Sequence, residues 1–294
     1  LGLESHASDL NPVAVLINKA MIEVPPKFAG NPPVNPEARK GRTLFTDQWC
    51  GAQGLAEDVR YYGQRIRDEA EKLIGHLYPK VIVTKEMAKD RPELKQDIGK
   101  ELTVIAWLWA RTVRCPNPGC GCEMPLLSSF VLSSKVGKKC YLNPVIMDRN
   151  IRFDVQNQPP RAVTDPKKGY KRGMSGVFEC AFCGTVTTRD YVADQAINNG
   201  LGSLSTVVVV EGSQGRIYLS AQQVKVHEDL PTIDTSGLDI DLAANPRDVW
   251  CRNFGLTRPI DLFTPRQLVA LTTYSDLVVK ARDAIFHDAQ SAGL

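Results

Sequence analysis

Two pairs of closely spaced cysteines constrain this chain more than any other feature. They read Cys115-Pro116-Asn117-Pro118-Gly119-Cys120-Gly121 and Cys180-Ala181-Phe182-Cys183-Gly184. Each pair puts two thiols on one tight turn and follows the second cysteine with a glycine, where the backbone must fold around the sulfur and a residue without Cβ turns most easily. Zn²⁺ takes four tetrahedral ligands at about 2.3 Å from each thiolate, and two such turns supply them. The spacing therefore predicts a zinc ribbon with Cys115, Cys120, Cys180 and Cys183 as ligands, the ion serving the fold and not catalysis.

Other uses of these cysteines fit less well. Disulfide frameworks belong to oxidising compartments, and nothing here resembles a secretory leader with a basic start, an apolar run and a small-residue cleavage site. A reducing, cytoplasmic setting is the expectation. A redox Cys-x-x-Cys calls for a thioredoxin-like βαβ context, whereas Cys180 follows the strand-like Val177-Phe178-Glu179. Cys122 stands as an alternative to Cys120, although Gly121 would then leave its usual knuckle position. Cys50, Cys140 and Cys251 read as small buried hydrophobes. The four histidines (His6, His76, His227, His287) are too scattered to suggest a ligand set or a proton relay.

With 294 residues the chain can bury a proper core in one large or two ordinary domains. No apolar run approaches the roughly 20 residues that span a bilayer. The net charge of +3 conceals an asymmetry. Between Ser133 and Arg172 there are ten basic residues (Lys135, Lys138, Lys139, Arg149, Arg152, Arg161, Lys167, Lys168, Lys171, Arg172) against three acidic ones, so this window carries +7 and the rest of the chain −4. The window lies between the two knuckles. Basic loops on a zinc-ordered scaffold suit phosphate contacts, which bring affinity without sequence readout; a solvated loop with no partner is the plainer alternative.

Periodicity organises the remainder. Asn11 is a candidate N-cap and Pro12 a first-turn residue for a helix through Val13–Ala20. Leu55, Val59, Tyr62, Ile66, Leu73 and Leu77 predict a long amphipathic helix over about 54–77. Residues 101–114 read as one long strand into the first knuckle, with Trp107 and Trp109 on one face, placed either for packing or for stacking on bases. Leu204–Val210 and Gly215–Leu219 predict a hairpin turning at residues 211–214. Residues 231–256 read as mostly loop. Thr264-Pro265-Arg266-Gln267 forms a capping signature for a helix to about His287 that buries Leu268, Leu271, Tyr274, Leu277 and Val278; Arg266 reads as a solvated helix start or a phosphate contact.

The segment before the first helix reads as a short strand, Leu3 to about Asp9, ending in a carboxylate. In a Rossmann-like sheet a carboxylate at such a strand end grips a nucleoside ribose. Ala7-Ser8-Asp9-Leu10-Asn11-Pro12-Val13-Ala14 resembles the second motif of S-adenosylmethionine-dependent methyltransferases. More narrowly, the chain resembles the large adenine-specific DNA methyltransferases that contain a zinc ribbon. The likeness continues through Ile22-Glu23-Val24-Pro25-Pro26-Lys27-Phe28, Thr103–Thr112, the first knuckle, Glu211–Leu219 and Asp261–Leu268.

That resemblance implies an α/β protein: a partial Rossmann-like methyltransferase fold with an α+β zinc-ribbon insert. It implies a cofactor half over 1–30, a helical linker over 31–102, a zinc-ribbon insert facing DNA over 103–225, and a loop and helix over 226–294 leading back to a catalytic half. Asp9, Leu10 and Asn11 would meet S-adenosylmethionine, and Lys135, Lys138, Lys139, Lys167, Lys168, Lys171 and Arg172 would meet DNA. The glycine-rich cofactor loop and the Asp-Pro-Pro-Tyr tetrapeptide of such enzymes are not in this sequence. The tetrapeptide holds the amine of a flipped adenine, so the expectation is an internal portion of an adenine-N6 methyltransferase, inactive alone. A zinc-ribbon nucleic-acid-binding or scaffold module without cofactor is the competing reading.

Overall fold

The computed structural model describes all residues except 1–5, 41–48, 90, 162, 174–175, 225–229, 246–248 and 294. The chain forms two compact units, residues 1–75 with 270–294, and residues 76–269. The second includes residues 76–102, expected as helical linker, and residues up to 269.

The first unit is helical. Asn11 caps α1 (Pro12–Asn18) by accepting from the Val13 amide, and a π-helical turn (Lys19–Glu23) carries the rod into α2 (Val24–Lys27). Residues 6–9 are exposed and irregular, not a strand, and 3–5 lie outside the described residues. An isolated strand has no neighbour to satisfy its amides and carbonyls. Val13, Leu16, Ile17, Met21 and Ile22 are all exposed along the rod. A short α3 (Pro36–Arg39) precedes α4 (Gln53–Ile74), the expected amphipathic helix, which a 3₁₀ turn extends to Leu77. Tyr62 and Leu77 are buried as its stripe predicts, but Val59 and Leu73 are exposed. The start of α4 is held by two contacts. Any Cβ on Gly54 would lie 2.2 Å from the Asn31 carbonyl oxygen. The Asp58 carboxylate accepts from the backbone amides of Val34 and Asn35 and from the Asn35 side chain, all at 2.8–2.9 Å. From the far end of the chain, Asp288 accepts the Tyr62 hydroxyl at 2.7 Å.

The second unit is built on antiparallel pairing. Its strands are β1 (Val81–Ile82), β2 (Glu101–Leu102), β3 (Val104–Arg114), β4 (Glu123–Pro125), β5 (Val131–Ser133), β6 (Cys140–Met147), β7 (Asn150–Gln156), β8 (Lys171–Arg172), β9 (Val177–Glu179), β10 (Val186–Thr187), β11 (Gly202–Gly212) and β12 (Gly215–Ser220). The main sheet runs β12-β11-β3-β4; β5-β6-β7 and β10-β9-β8 form two more, and β1 pairs with β2. The single strand expected over 101–114 is thus two, parted at Thr103, whose carbonyl accepts the Glu211 amide. The predicted hairpin is present, with its strands longer and its turn confined to Ser213 and Gln214.

The run Val207–Val210 is continuously apolar because β11 is covered on both sides. Val207 and Val209 pack with Phe130, Leu142 and Phe153 of the β5-β6-β7 layer. Val208 and Val210 pack with Val81, Val83, Leu94 and Leu102. Helix and sheet are therefore mixed, as expected for an α/β chain at a coarse level. Among the described residues every strand pair is antiparallel, so the parallel βαβ order of a Rossmann half is not seen.

The last helix, α6 (Pro265–Ser291), follows α5 (Arg189–Asn199) in chain order. Its capping signature is realised: the Thr264 amide donates to the Gln267 side chain at 2.8 Å, and the Gln267 amide to the Thr264 hydroxyl at 3.4 Å. Leu268 and Leu277 are buried, but Leu271, Tyr274 and Val278 are exposed. Arg266 corrects both sequence expectations. It is buried, with its guanidinium 4.1 Å from the Trp107 ring centroid, 5.1 Å from Tyr78 and 5.8 Å from Trp109. It donates to the Leu77 carbonyl at 3.2 Å, while the Tyr78 hydroxyl donates to the Arg266 backbone carbonyl at 3.1 Å. The two tryptophans thus share a face as predicted, and an internal cation occupies it. A desolvated cation–π contact stabilises by about 2 kcal/mol or more. Arg266→Ala is expected to lower unfolding free energy by at least about that amount in urea titration, with little recovery in Arg266→Lys, because an ammonium cannot stack flat on the rings.

Candidate metal centre

The two knuckles sit at equivalent places in two small hairpins. Cys115 to Cys120 joins β3 to β4, and Cys180 to Cys183 joins β9 to β10. Each hairpin ties its own base: the Cys115 amide donates to the Cys122 carbonyl and the Cys180 amide to the Thr185 carbonyl, both at 2.9 Å. Gly121 (φ 56°) and Gly184 (φ 73°) occupy the left-handed region that lets the chain reverse after the second thiol. Inside the turns the Asn117 amide donates to the Cys115 sulfur, and those of Phe182 and Cys183 donate to the Cys180 sulfur.

The tips bring four sulfurs together. Cys115 Sγ lies 3.6 Å from Cys183 Sγ, Cys120 Sγ lies 3.9 Å from Cys180 Sγ, and all four are within 4.8 Å of one another. Sulfurs at about 2.3 Å from a tetrahedral centre are about 3.8 Å apart. A disulfide would bring two of them to about 2.05 Å, and all eight cysteines are free thiols. The donor set fits a four-thiolate zinc site. Cys122 is outside it: buried, its thiol points at the Cys120 carbonyl at 3.6 Å. Cys140 is buried as expected, whereas Cys50 is exposed and Cys251 half-buried.

The surroundings are apolar. Cys115, Cys120 and Cys180 belong to a cluster with Val113, Met124, Phe178 and Val192, edged by Phe182, Tyr191 and Phe254. This enclosure splits the thiols electrostatically. Burial pushes Cys115 up to about 12 and raises Cys180, since the thiolate is the form that loses solvation. Cys183, exposed at the rim, is held down to about 6 by hydrogen bonds from the Thr185 hydroxyl and amide. Neither Thr185 nor Arg149 was apparent as a supporting residue. Arg149 lies in the β6–β7 turn with Asp148, both at positive φ, and its guanidinium donates to the Cys120 carbonyl.

The basic window is divided by the fold. Lys135, Lys138 and Lys139 lie on the β5–β6 turn, while Lys167 and Lys168 lie before β8, and Lys171 and Arg172 form it next to the second knuckle. The eleven residues of β3, at about 3.3 Å each, separate the first knuckle from the β11–β12 turn by about 30 Å, and Lys138 reaches that distant turn through the Gln214 carbonyl. Several cations are internally paired: Arg172 with Glu179, Lys168 with Asp165 and Arg152 with Asp154. The expected cofactor residues are exposed at the head of α1. Asp9 accepts the Asn11 amide at 2.8 Å, so its carboxylate serves the helix start; Leu10 is fully exposed. Of the histidines, His227 lies outside the described residues, and among the described residues no histidine joins the thiol cluster.

Comparison with protein-family models, with characterised proteins and with solved structures finds no match for this chain. No helix among the described residues is long and apolar enough to cross a membrane.

Zinc must displace the protons that burial favours on Cys115 and Cys180, whereas the hydrogen bonds at Cys183 favour its thiolate. Affinity should therefore rise with pH, and the stability that zinc contributes should be lost as pH falls. Calorimetric titration at neutral pH in buffers of different ionisation enthalpy should give at least about two protons released per ion. Release of fewer than about one would contradict this burial-driven split.

Proposed function

We propose that this chain is a zinc-ordered nucleic-acid-binding module that forms the recognition portion of a DNA methyltransferase, adenine-N6 by resemblance. The observation that carries the binding part is the tetrahedral spacing of the four sulfurs, because it makes the β scaffold a metal-held platform for a +7 window. Arg149, anchored on the Cys120 carbonyl, ties the β6–β7 hairpin to that platform. Cationic side chains on a shaped surface gain affinity by releasing counterions from phosphates.

The methyltransferase part is supported by the strings around Asp9, Glu23, Trp107, Gly212 and Asp261. It is also supported by the exposed apolar side chains of residues 13–22, as for a helix whose Rossmann-like sheet other parts of a protein supply. In that reading Asp9, Leu10 and Asn11 meet S-adenosylmethionine only within the complete enzyme. One observation favours the module without cofactor: the Asp9 carboxylate already accepts the Asn11 amide.

Fluorescence anisotropy with labelled duplex DNA at low salt tests the binding. Saturable binding that weakens steeply with salt and is lost on chelation of zinc is the expected result. No binding at low salt would overturn the proposal. The isolated chain is expected to transfer no methyl group from labelled S-adenosylmethionine to adenine-containing DNA.

A further inference from the structure

The second unit contains a cleft of about 710 Å³ between the β5–β6 turn and the β11–β12 turn. Among its lining residues are five cations, Arg91, Lys135, Lys138, Lys139 and Arg216, and one carboxylate, Glu93. Arg91 neutralises that carboxylate at 2.5 Å and donates its other arm to the Tyr218 carbonyl. Lys138 spans the cleft to the Gln214 carbonyl. Lys135, Lys139 and Arg216 are exposed and enter none of the ion pairs of the described residues.

Both rims are held firmly. Lys135 and Lys138 close the β5–β6 turn through a backbone hydrogen bond of 2.9 Å around Gly137 at φ 74°. Opposite, the buried Asp97 carboxylate accepts from the Ser213 hydroxyl, from its amide at 3.3 Å and from Lys100 at 3.1 Å. The cations are therefore presented from two fixed turns about 30 Å along the sheet from the thiol cluster.

We infer that this cleft is where the chain grips the phosphodiester backbone of nucleic acid, with Lys135, Lys139 and Arg216 as the contacting cations. The inference rests on the nucleic-acid reading above and narrows it. It adds Arg216, which lies outside the basic window, and sets aside Lys167, Lys168 and Lys171 beside the ribbon. The exposure of the three cations selects a polyanion. A single small phosphate would call for buried donors converging on one point, whereas solvated amines along a wide cleft match charges repeated along a strand.

The test is anisotropy with a labelled duplex of about 20 base pairs over a salt series, because each phosphate contact contributes about 0.9 to the log–log salt slope. Lys135→Ala/Lys139→Ala/Arg216→Ala should reduce the slope by about 2 to 3 and weaken binding at least about tenfold at moderate salt. Lys167→Ala/Lys168→Ala/Lys171→Ala should change the slope by less than about one. Five of the six side chains are exposed and Lys171 is half-buried, and circular dichroism with zinc content verifies that both variants are folded; the single Arg216→Glu variant gives a second measure and should also weaken binding. An equal or larger effect of the second triple would overturn the inference and leave the nucleic-acid reading intact. Absence of binding by the unsubstituted chain would overturn both.

Discussion

The contact on which the second unit depends is the approach of four sulfurs from two hairpins, the first ending at Pro125 and the second beginning at Val177. Three of these thiols are buried in an apolar cluster, with Cys115 and Cys183 only 3.6 Å apart. Bringing several thiolates this close would be repulsive without a central cation, and protonated thiols would supply only weak hydrogen bonds. An ion converts the same geometry into a cross-link between residues 115–120 and 180–183. The intervening chain, with the β5-β6-β7 layer, is then closed into a loop, and cross-links of that kind restrict the unfolded chain most.

The β3–β11 pairing carries the consequences of that closure along the molecule. β3 ends in the first knuckle at Arg114 and begins beside the β11–β12 turn, since Val104 pairs with Val210. β11 has buried valines on both faces, so it is held by two cores at once. The β6–β7 hairpin spans the same distance, from Cys140 near the cleft to Arg149 at the Cys120 carbonyl. A rigid central sheet therefore places the four-thiol site at one end and a cationic cleft at the other, so an ion held by the thiols would not need to touch the cleft.

Much of this was legible in the sequence where the signal is local. The knuckle glycines, the Asn11–Pro12 start, the Thr264–Gln267 cap and the Val207–Val210 hairpin each follow from a few neighbouring residues, and each is present. The misreadings concern long-range partners. Nothing near Arg266 announces that Trp107 and Tyr78, far away in sequence, will cover it. The periodic stripe of α6 predicts burial of Leu271, Tyr274 and Val278, but exposure depends on what lies opposite. Asp9 looks like a strand-end carboxylate, but residues 6–9 form no strand and its carboxylate accepts the amide of the capping Asn11, because a two-residue hydrogen bond needs no sheet. Likewise the +7 window is contiguous in sequence, yet the fold sends its two halves to different places, and Arg216 joins one of them from elsewhere.

The central claim is that one ion closes the two knuckles, and zinc-edge X-ray absorption on the purified, reduced chain addresses it most directly. The account predicts about one zinc per chain with a first shell of four sulfurs at about 2.3 Å and no lighter ligand. A folded, reduced chain without zinc, or a shell containing nitrogen or oxygen, would contradict it.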